Sequence, residues 1–257
     1  MSAAEPAQVQ SLARALLVLS SFDETTPTFT IAELAAKTGL DRAAARRYLL
    51  TLQSLGYVGS HVRRFHLLPR VLQLGHAYLA SAGLPALVQP RLDGLAAEVG
   101  ESCAVTVLDG SDVDEIVFVA VANSTARLAI KHTVGNRLPA HSTAMGRVLL
   151  AGQPPDRVRA LVTAAPLPTF TTHTRTAAAD VLGAIDEAGR AGWALVDQEV
   201  EVGVRSVAIP LRDRAGNVTA AASVSVPAAR VGLDRLSNSV LDALRATMAV
   251  PLDAARG

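Results

Sequence analysis

Residues 40–55 read LDRAAARRYLLTLQSL. At about 100° per residue, Ala45, Tyr48, Leu49, Leu52 and Leu55 fall on one arc of a helix. Arg42, Arg46 and Arg47 fall on the other, with Gln53 and the small Ala43. Asp41 stands where an N-cap is needed, since its carboxylate can accept from the orphan amides of the first turn. One face suits a core and the other suits an anion. Leu50 breaks the pattern as an apolar residue on the polar side; it fits either the edge of a contact between two copies or a contact with a nucleic-acid backbone.

The flanking sequence chooses between a DNA reader and an ordinary basic helix. Val9, Leu12, Leu16 and Leu19 repeat at helical spacing and predict a first helix over 9–22. After the break at DETTP, Thr30-Ile31-Ala32-Glu33 matches a capping box, in which hydroxyl and carboxylate each satisfy an orphan amide. It opens a short helix over 31–38 with Ile31, Leu34 and Ala35 inward, and Gly39 supplies a tight turn into the arginine-faced helix. Two short helices joined in this way form a helix-turn-helix whose second member reads DNA. Gly56 stops that helix. Two strand-like runs, 57–60 and 64–67, then surround a polar tip and predict a wing. Arg63 and Arg64 at the tip can reach phosphates or a narrow minor groove. Any one of these arginines alone reads equally well as solvated surface charge; the ordered set favours DNA. A helix over 71–82, with Leu72, Tyr78 and Leu79 available for packing, ends at Gly83-Leu84-Pro85 and predicts a linker over 71–85 after a first domain at 8–70.

The chain has 257 residues and a formal charge of +1, which excludes a strong global pull toward nucleic acid or membrane. Yet between Leu40 and Arg70 six arginines face one acid, Asp41, so positive charge is concentrated there and the remainder is net negative. Half the residues are apolar, enough for a full core. Cys103 is the sole cysteine, no apolar run is long enough to span a bilayer, and the N-terminus lacks a signal-peptide pattern. These features predict a soluble cytoplasmic protein.

From residue 86 to 257 the pattern becomes mixed. Helices are expected over 87–99, 143–150, 154–164, 177–189 and 233–249. Strands are expected over 102–108, 113–122, 127–132, 193–197, 205–211 and 218–226. Antiparallel strands flanked by helices make this an α+β domain. Two stretches can line a site. His141 to Gly146 is a small-residue helix N-terminus, which suits an anion or simply a capped core helix. Ser223 and Ser225 are two apart on one strand and share a face, lining either a polar pocket or a half-solvated sheet. Arg127 is the nearest basic candidate for a ligand carboxylate and reads equally as a surface strand residue.

Enzyme chemistry finds little footing. Gly-x-Ser-x-Gly, Gly-x-x-x-x-Gly-Lys and His-Glu-x-x-His are absent. His132, His141 and His173 are too scattered for a metal signature, and the Asp109, Ser111, Asp112, Asp114 run fails as a calcium loop at Val113. No catalytic residue, metal or cofactor is expected. A small-molecule binder with a vestigial DNA domain is a third reading, against which Arg42, Arg46 and Arg47 stand.

With the N-terminal pattern, LPAHSTAMGRVLLA at 138–151 and GWALVDQEVEVGVRSVAIPLRDRAGNVTAAASVSVP at 192–227 resemble the IclR family of bacterial transcription regulators. The runs AMGRVLLA, ALVDQEVEVGVRS and AARV are similar to the PcaR, PcaU and PobR subgroup, which controls aromatic-acid catabolism through the β-ketoadipate pathway. The resemblance covers nearly the whole chain. It implies a winged helix-turn-helix, a linker helix and a GAF-like effector domain. It also implies a homodimer through the N-terminal domains, often a homotetramer through effector domains. The implied partners are double-stranded operator DNA and a small carboxylic acid such as protocatechuate, with no membrane. Thr30, Arg42, Ala43, Arg46, Arg47, Arg63 and Arg64 form the expected DNA set. By position, the family's effector pocket falls on Ala144, Met145, Val196, Val204, Ser206, Ser223 and Ser225, to which Arg127 is added. Val196 stands where some small-acid sensors carry an acid, which suits a larger or more apolar ligand. A regulator of the same family that senses an unrelated organic acid is the alternative.

Overall fold

The computed structural model describes residues 9–23, 25–81, 83–110, 114–126 and 129–248. Ala82, Ser111, Asp112, Val113, Arg127 and the expected helix end at Ala249 lie outside them. The chain divides into two compact units, Met1–Tyr78 and Leu79–Gly257, a split that falls inside the expected linker.

The first unit contains α1 (Gln10–Ser20), β1 (Thr28–Phe29), α2 (Ile31–Thr38), α3 (Arg42–Ser54), β2 (Val58–His61) and β3 (Arg64–Leu67). Its core gathers Val18, Phe29, Leu34, Ala45, Leu49, Leu52, Val58 and Phe65 from every element. Thr30 Oγ1 accepts from the Glu33 amide and Glu33 accepts from the Thr30 amide, so the expected capping box is present. Gly39 closes α2 at φ 69°, a left-handed conformation that costs glycine little. Asp41 then caps α3 by accepting from the Ala44 amide at 2.7 Å. The strands form a three-stranded antiparallel sheet in the order β1-β3-β2. The β2–β3 hairpin turns through Val62 and Arg63, both at positive φ although neither is glycine. One expected core residue departs: Leu55, at the C-cap, is 51 % exposed, because the chain leaves the helix there.

A short 3₁₀ turn, Pro69–Val71, leads into α4 (Leu72–Ser81). Pro85 begins the next helix rather than ending the last. It stands in the first turn of α5 (Leu84–Val99), where a missing amide is harmless.

The second unit is a six-stranded antiparallel sheet in the order β6-β5-β4-β9-β8-β7. Its strands are β4 (Ser102–Leu108), β5 (Glu115–Ala122), β6 (Arg137–Pro139), β7 (Ala194–Asp197), β8 (Val204–Arg212) and β9 (Val218–Pro227). Period-2 alternation sorts the two faces. Cys103, Val105, Val207, Ile209, Ala222, Val224 and Val226 pack toward α5 and α10 (Leu241–Met248). Ala104, Ala208 and Ala221 pack toward α6 (Ala144–Leu150), beyond which lie α7 (Pro155–Thr163) and α8 (Ala178–Ala191). The C-terminal helical stretch runs through α9 (Leu233–Arg235) and a π turn (Leu236–Val240) into α10. The expected strand over 127–132 is absent among its described residues. There the His132 amide donates to the Asn123 side chain and Gly135 turns the backbone at φ 90°, so the edge strand forms later, at Arg137–Pro139.

All of α6 is buried, and the Ala140 backbone that precedes it packs closely against Gly146. A Cβ at Gly146 would overlap the Ala140 backbone. Gly146→Ala is therefore expected to lower the unfolding midpoint of the full chain markedly, a loss of about 3 kcal/mol or more, since the obstacle is main chain and cannot rotate away. Gly94→Ala, where nothing lies within contact distance, is the control and should leave it in place.

Candidate DNA-reading face and ligand cavity

On α3, Ala44, Ala45, Tyr48, Leu49 and Leu52 are buried, while Arg42, Ala43, Arg46 and Arg47 are exposed along the opposite side. Arg42 and Arg46 have no acidic partner among the described residues, and the Arg47 guanidinium lies 5.7 Å from the centre of the Tyr48 ring. The face thus offers planar, permanently charged donors able to bridge base edges or phosphates. Leu50 shares it at 40 % exposure. Thr30 is occupied with its capping box. Arg63 is exposed at the hairpin turn. Arg64, expected beside it, is exposed but engaged at the surface: it pairs with Glu33 at 3.0 Å and donates to the Thr28 hydroxyl and carbonyl, tying β3 to β1 and α2. The Thr30 amide, and then Arg64, hold the Glu33 carboxyl below its usual range.

In the second unit, a cavity of about 160 Å³ opens between the sheet and the N-terminal end of α6. Met145, Val196, Val204, Ser206 and Ser225, all expected, line it. Ala144 is fully buried in the packing of α6 and is not among the lining residues. Ser223 lies beneath the cavity rather than in its wall, because its hydroxyl donates to the Met145 sulfur at 3.0 Å. Arg127 lies outside the described residues.

Several lining residues escaped the sequence. Phe118 and His132 stack with ring centroids 4.7 Å apart, and His132 Nε2 meets Ser225 Oγ at 3.0 Å. Burial pushes the His132 imidazole down to about 4, so the ring is neutral at pH 7. Ser142 lies within the expected His141–Gly146 stretch; its hydroxyl is buried with no hydrogen-bond partner among the described residues. The loop after β7 contributes Glu199, Val200 and Glu201. Glu199 is itself buried and accepts from the Arg147 guanidinium at 2.7 Å and the Arg175 amide at 3.1 Å. Arg147, 1 % exposed, also donates to the His141 carbonyl. Aromatic and apolar walls, a few inward hydroxyls and a pre-formed charge network describe a small-molecule site. Its volume lies below the roughly 300–1,000 Å³ of pockets for drug-sized ligands. Burial raises the Cys103 thiol to about 12 and leaves it inert.

An arginine-faced helix-turn-helix in one unit and a ligand cavity in the other define a ligand-responsive DNA-binding regulator, and known proteins agree. Residues 11–61 match the IclR helix-turn-helix domain and residues 76–250 the C-terminal domain of the bacterial transcriptional regulator IclR. The chain is 39 % identical to the Pca regulon regulatory protein of Pseudomonas putida, over 94 % of this chain and 82 % of that one. A solved transcriptional regulator from Rhodococcus sp. RHA1 is 42 % identical with a TM-score of 0.79, covering 94 % of this chain and 96 % of that one. The inducer-binding domain of a PobR transcription factor from Acinetobacter, solved as a double mutant with 3-hydroxybenzoic acid, is 28 % identical with a TM-score of 0.57, covering 64 % of this chain and 95 % of that one. The chain belongs to the IclR family of bacterial transcriptional regulators. No helix of the described residues is long and apolar enough to cross a membrane.

The depressed His132 also makes stability depend on pH. Above about 6.5 the folded and unfolded chains both hold the ring neutral and its contribution is fully present. As pH falls from about 6.5 to about 4, the unfolded chain takes up a proton that the folded chain refuses. Thermal melts across that window should show a progressive loss on the order of 2 kcal/mol, reduced in His132→Phe. A smaller residual slope should remain from His141, which desolvation also lowers.

Proposed function

We propose that this regulator controls genes of aromatic-acid catabolism, reading operator DNA with α3 and sensing a small aromatic carboxylic acid, such as protocatechuate or a hydroxybenzoate, in the cavity over its second sheet. The first domain is residues 8–70, the linker 71–85 and the effector domain 86–257. Arg42, Ala43, Arg46 and Arg47 meet bases and phosphates in the major groove, with Thr30 and Arg63 at its margins. Met145, Val196, Val204, Ser206 and Ser225 contact the effector, with Ala144 and Ser223 supporting them from behind. Arg64 is released from the DNA set because Glu33 and Thr28 engage it.

The observation that carries this proposal is the cavity itself. Its stacked ring pair and inward hydroxyls suit one hydroxylated ring, and a related inducer-binding domain is known with 3-hydroxybenzoic acid. The protein works in the cytoplasm, without a cofactor, as a homodimer or homotetramer. Support for self-association comes from Val9, Leu12 and Leu16, which are 64 %, 59 % and 51 % exposed along one stripe of α1. Effector and operator communicate because the effector binds two arrangements of the protein unequally.

Fluorescence anisotropy on DNA from upstream of the gene for this protein and of the genes beside it tests this. Arg46→Ala should weaken binding about tenfold or more, since a bidentate arginine–guanine contact is worth ~1–3 kcal/mol. The same variant should keep its thermal shift with protocatechuate; loss of both responses would mean misfolding instead. In the unaltered protein, protocatechuate at about 100 times Kd should raise stability by about 2.7 kcal/mol and change operator affinity. A thermal response to aliphatic acids alone would overturn the aromatic assignment in favour of a regulator for another acid.

A further inference from the structure

Once the cavity is read as the effector site, on which this inference rests, its charge layout says how an acid lies in it. We propose that the effector is held at two ends, its carboxylate by the Lys131 ammonium at the mouth and a ring hydroxyl by the buried Ser142 hydroxyl at the floor, so that the cavity selects hydroxylated aromatic monocarboxylates.

A carboxylate leaving water needs a cation or several donors. Among the described lining residues the formally charged groups are Lys131, Glu199 and Glu201. Glu199 is committed to Arg147 and Arg175, and Arg147 behind it is compensated by Glu199 and the His141 carbonyl. His132 is neutral and spends Nε2 on Ser225. Lys131 remains: it is exposed, lines the cavity and has no acidic partner among the described residues. The chain has only two lysines among its 24 basic residues. The other, Lys37, is paired with Asp23. A flexible ammonium at a wet rim suits a point-charge contact with an arriving carboxylate.

Ser142 marks the buried end. It is 0 % exposed, lines the same cavity, and its oxygen has no hydrogen-bond partner among the described residues. Leaving such a group unmatched costs roughly 1–3 kcal/mol, and a phenolic hydroxyl satisfies it as donor or acceptor. Plain benzoate leaves it orphaned. An aliphatic dicarboxylate would bring a second, uncompensated charge into a cavity already lined by the buried Glu199 carboxylate. Between the two ends, the Phe118–His132 stack supplies a flat wall for the ring.

Calorimetric titration of the full chain with protocatechuate, 3- and 4-hydroxybenzoate, benzoate and neutral 4-hydroxybenzamide tests both ends. Lys131→Met should weaken every carboxylate about tenfold or more and leave the amide within about twofold, and Lys131→Arg should restore most of the loss. Ser142→Ala should bring the hydroxybenzoates down to the level of benzoate and leave benzoate unchanged. Equal weakening of acid and amide by Lys131→Met would overturn the proposal, as would unchanged affinity for the acids. Lys131 is exposed, so its two variants decide the carboxylate end even where Ser142→Ala fails to fold; the hydroxyl end is then decided in the unaltered chain, where hydroxybenzoates binding no more tightly than benzoate would overturn it. Failure of every compound to bind the unaltered chain would instead refute the aromatic-acid function itself, and this assignment with it.

Discussion

A guanidinium with almost no access to water sits at the centre of the effector unit. Arg147 is 1 % exposed, and its charge is tolerable only because Glu199 stands 2.7 Å away and the His141 carbonyl accepts a second bond at 3.0 Å. Glu199 is buried too, and it accepts further from the Arg175 amide. The pair therefore fastens three separate pieces of chain: α6, the loop after β7, and the approach to α8. Removing one partner of such a pair costs about 3–5 kcal/mol, because the other is left charged and dry. The cavity is bounded by two of those pieces. Thr143 and Met145 come from the α6 side, and Val200 and Glu201 from the loop that Glu199 anchors. Thr171 and Thr174 reinforce the anchor by donating to the Gln198 and Glu199 carbonyls. Cavity shape is thus set by an electrostatic requirement whose members lie mostly behind the wall.

That requirement was invisible in the sequence, whereas most of the elements it organises were legible. Helical spacing, the capping box at Thr30 and Glu33, and the β-branched character of the Ser102–Leu108 run each depend on neighbours within a few residues, and each element appears where expected. Errors occur where a distant partner decides. Arg64 looked like a wing-tip arginine until Glu33, thirty-one residues earlier, took its guanidinium. The stretch after Ala126 had an apolar, strand-like composition, but the Asn123 side chain and the Gly135 turn use the backbone groups that a ladder would need. Ser223 and Ser225 were correctly assigned to one strand face. Which of them meets the cavity depends on the Met145 sulfur arriving over Ser223, and no local pattern encodes that. Phe118 and His132 escaped for the same reason, since strand β5 and a coil meet the expected His141–Gly146 helix entrance only in three dimensions. An adjacent Lys131-His132 pair in an otherwise arginine-rich chain was the one available hint.

The two units solve opposite electrostatic problems. In the effector unit charge is buried, so each group must be matched. On α3 the arginines are solvated, and their use depends on having no internal match. Arg42 and Arg46 keep their charge available because no acid among the described residues reaches them, while Arg64 and Lys37 are consumed by Glu33 and Asp23. The proposed reader is thereby reduced to a few guanidiniums on a chain of net charge +1. Nonspecific affinity rises with the number of phosphates neutralised, so so few contacts per copy keep the sequence-independent part small. Allosteric coupling energies run to about 1–3 kcal/mol. A ligand of that strength can decide occupancy only where operator binding is not already overwhelming. On the proposed function, a sparse arginine face on a nearly neutral protein is what places DNA binding within reach of a single small ligand.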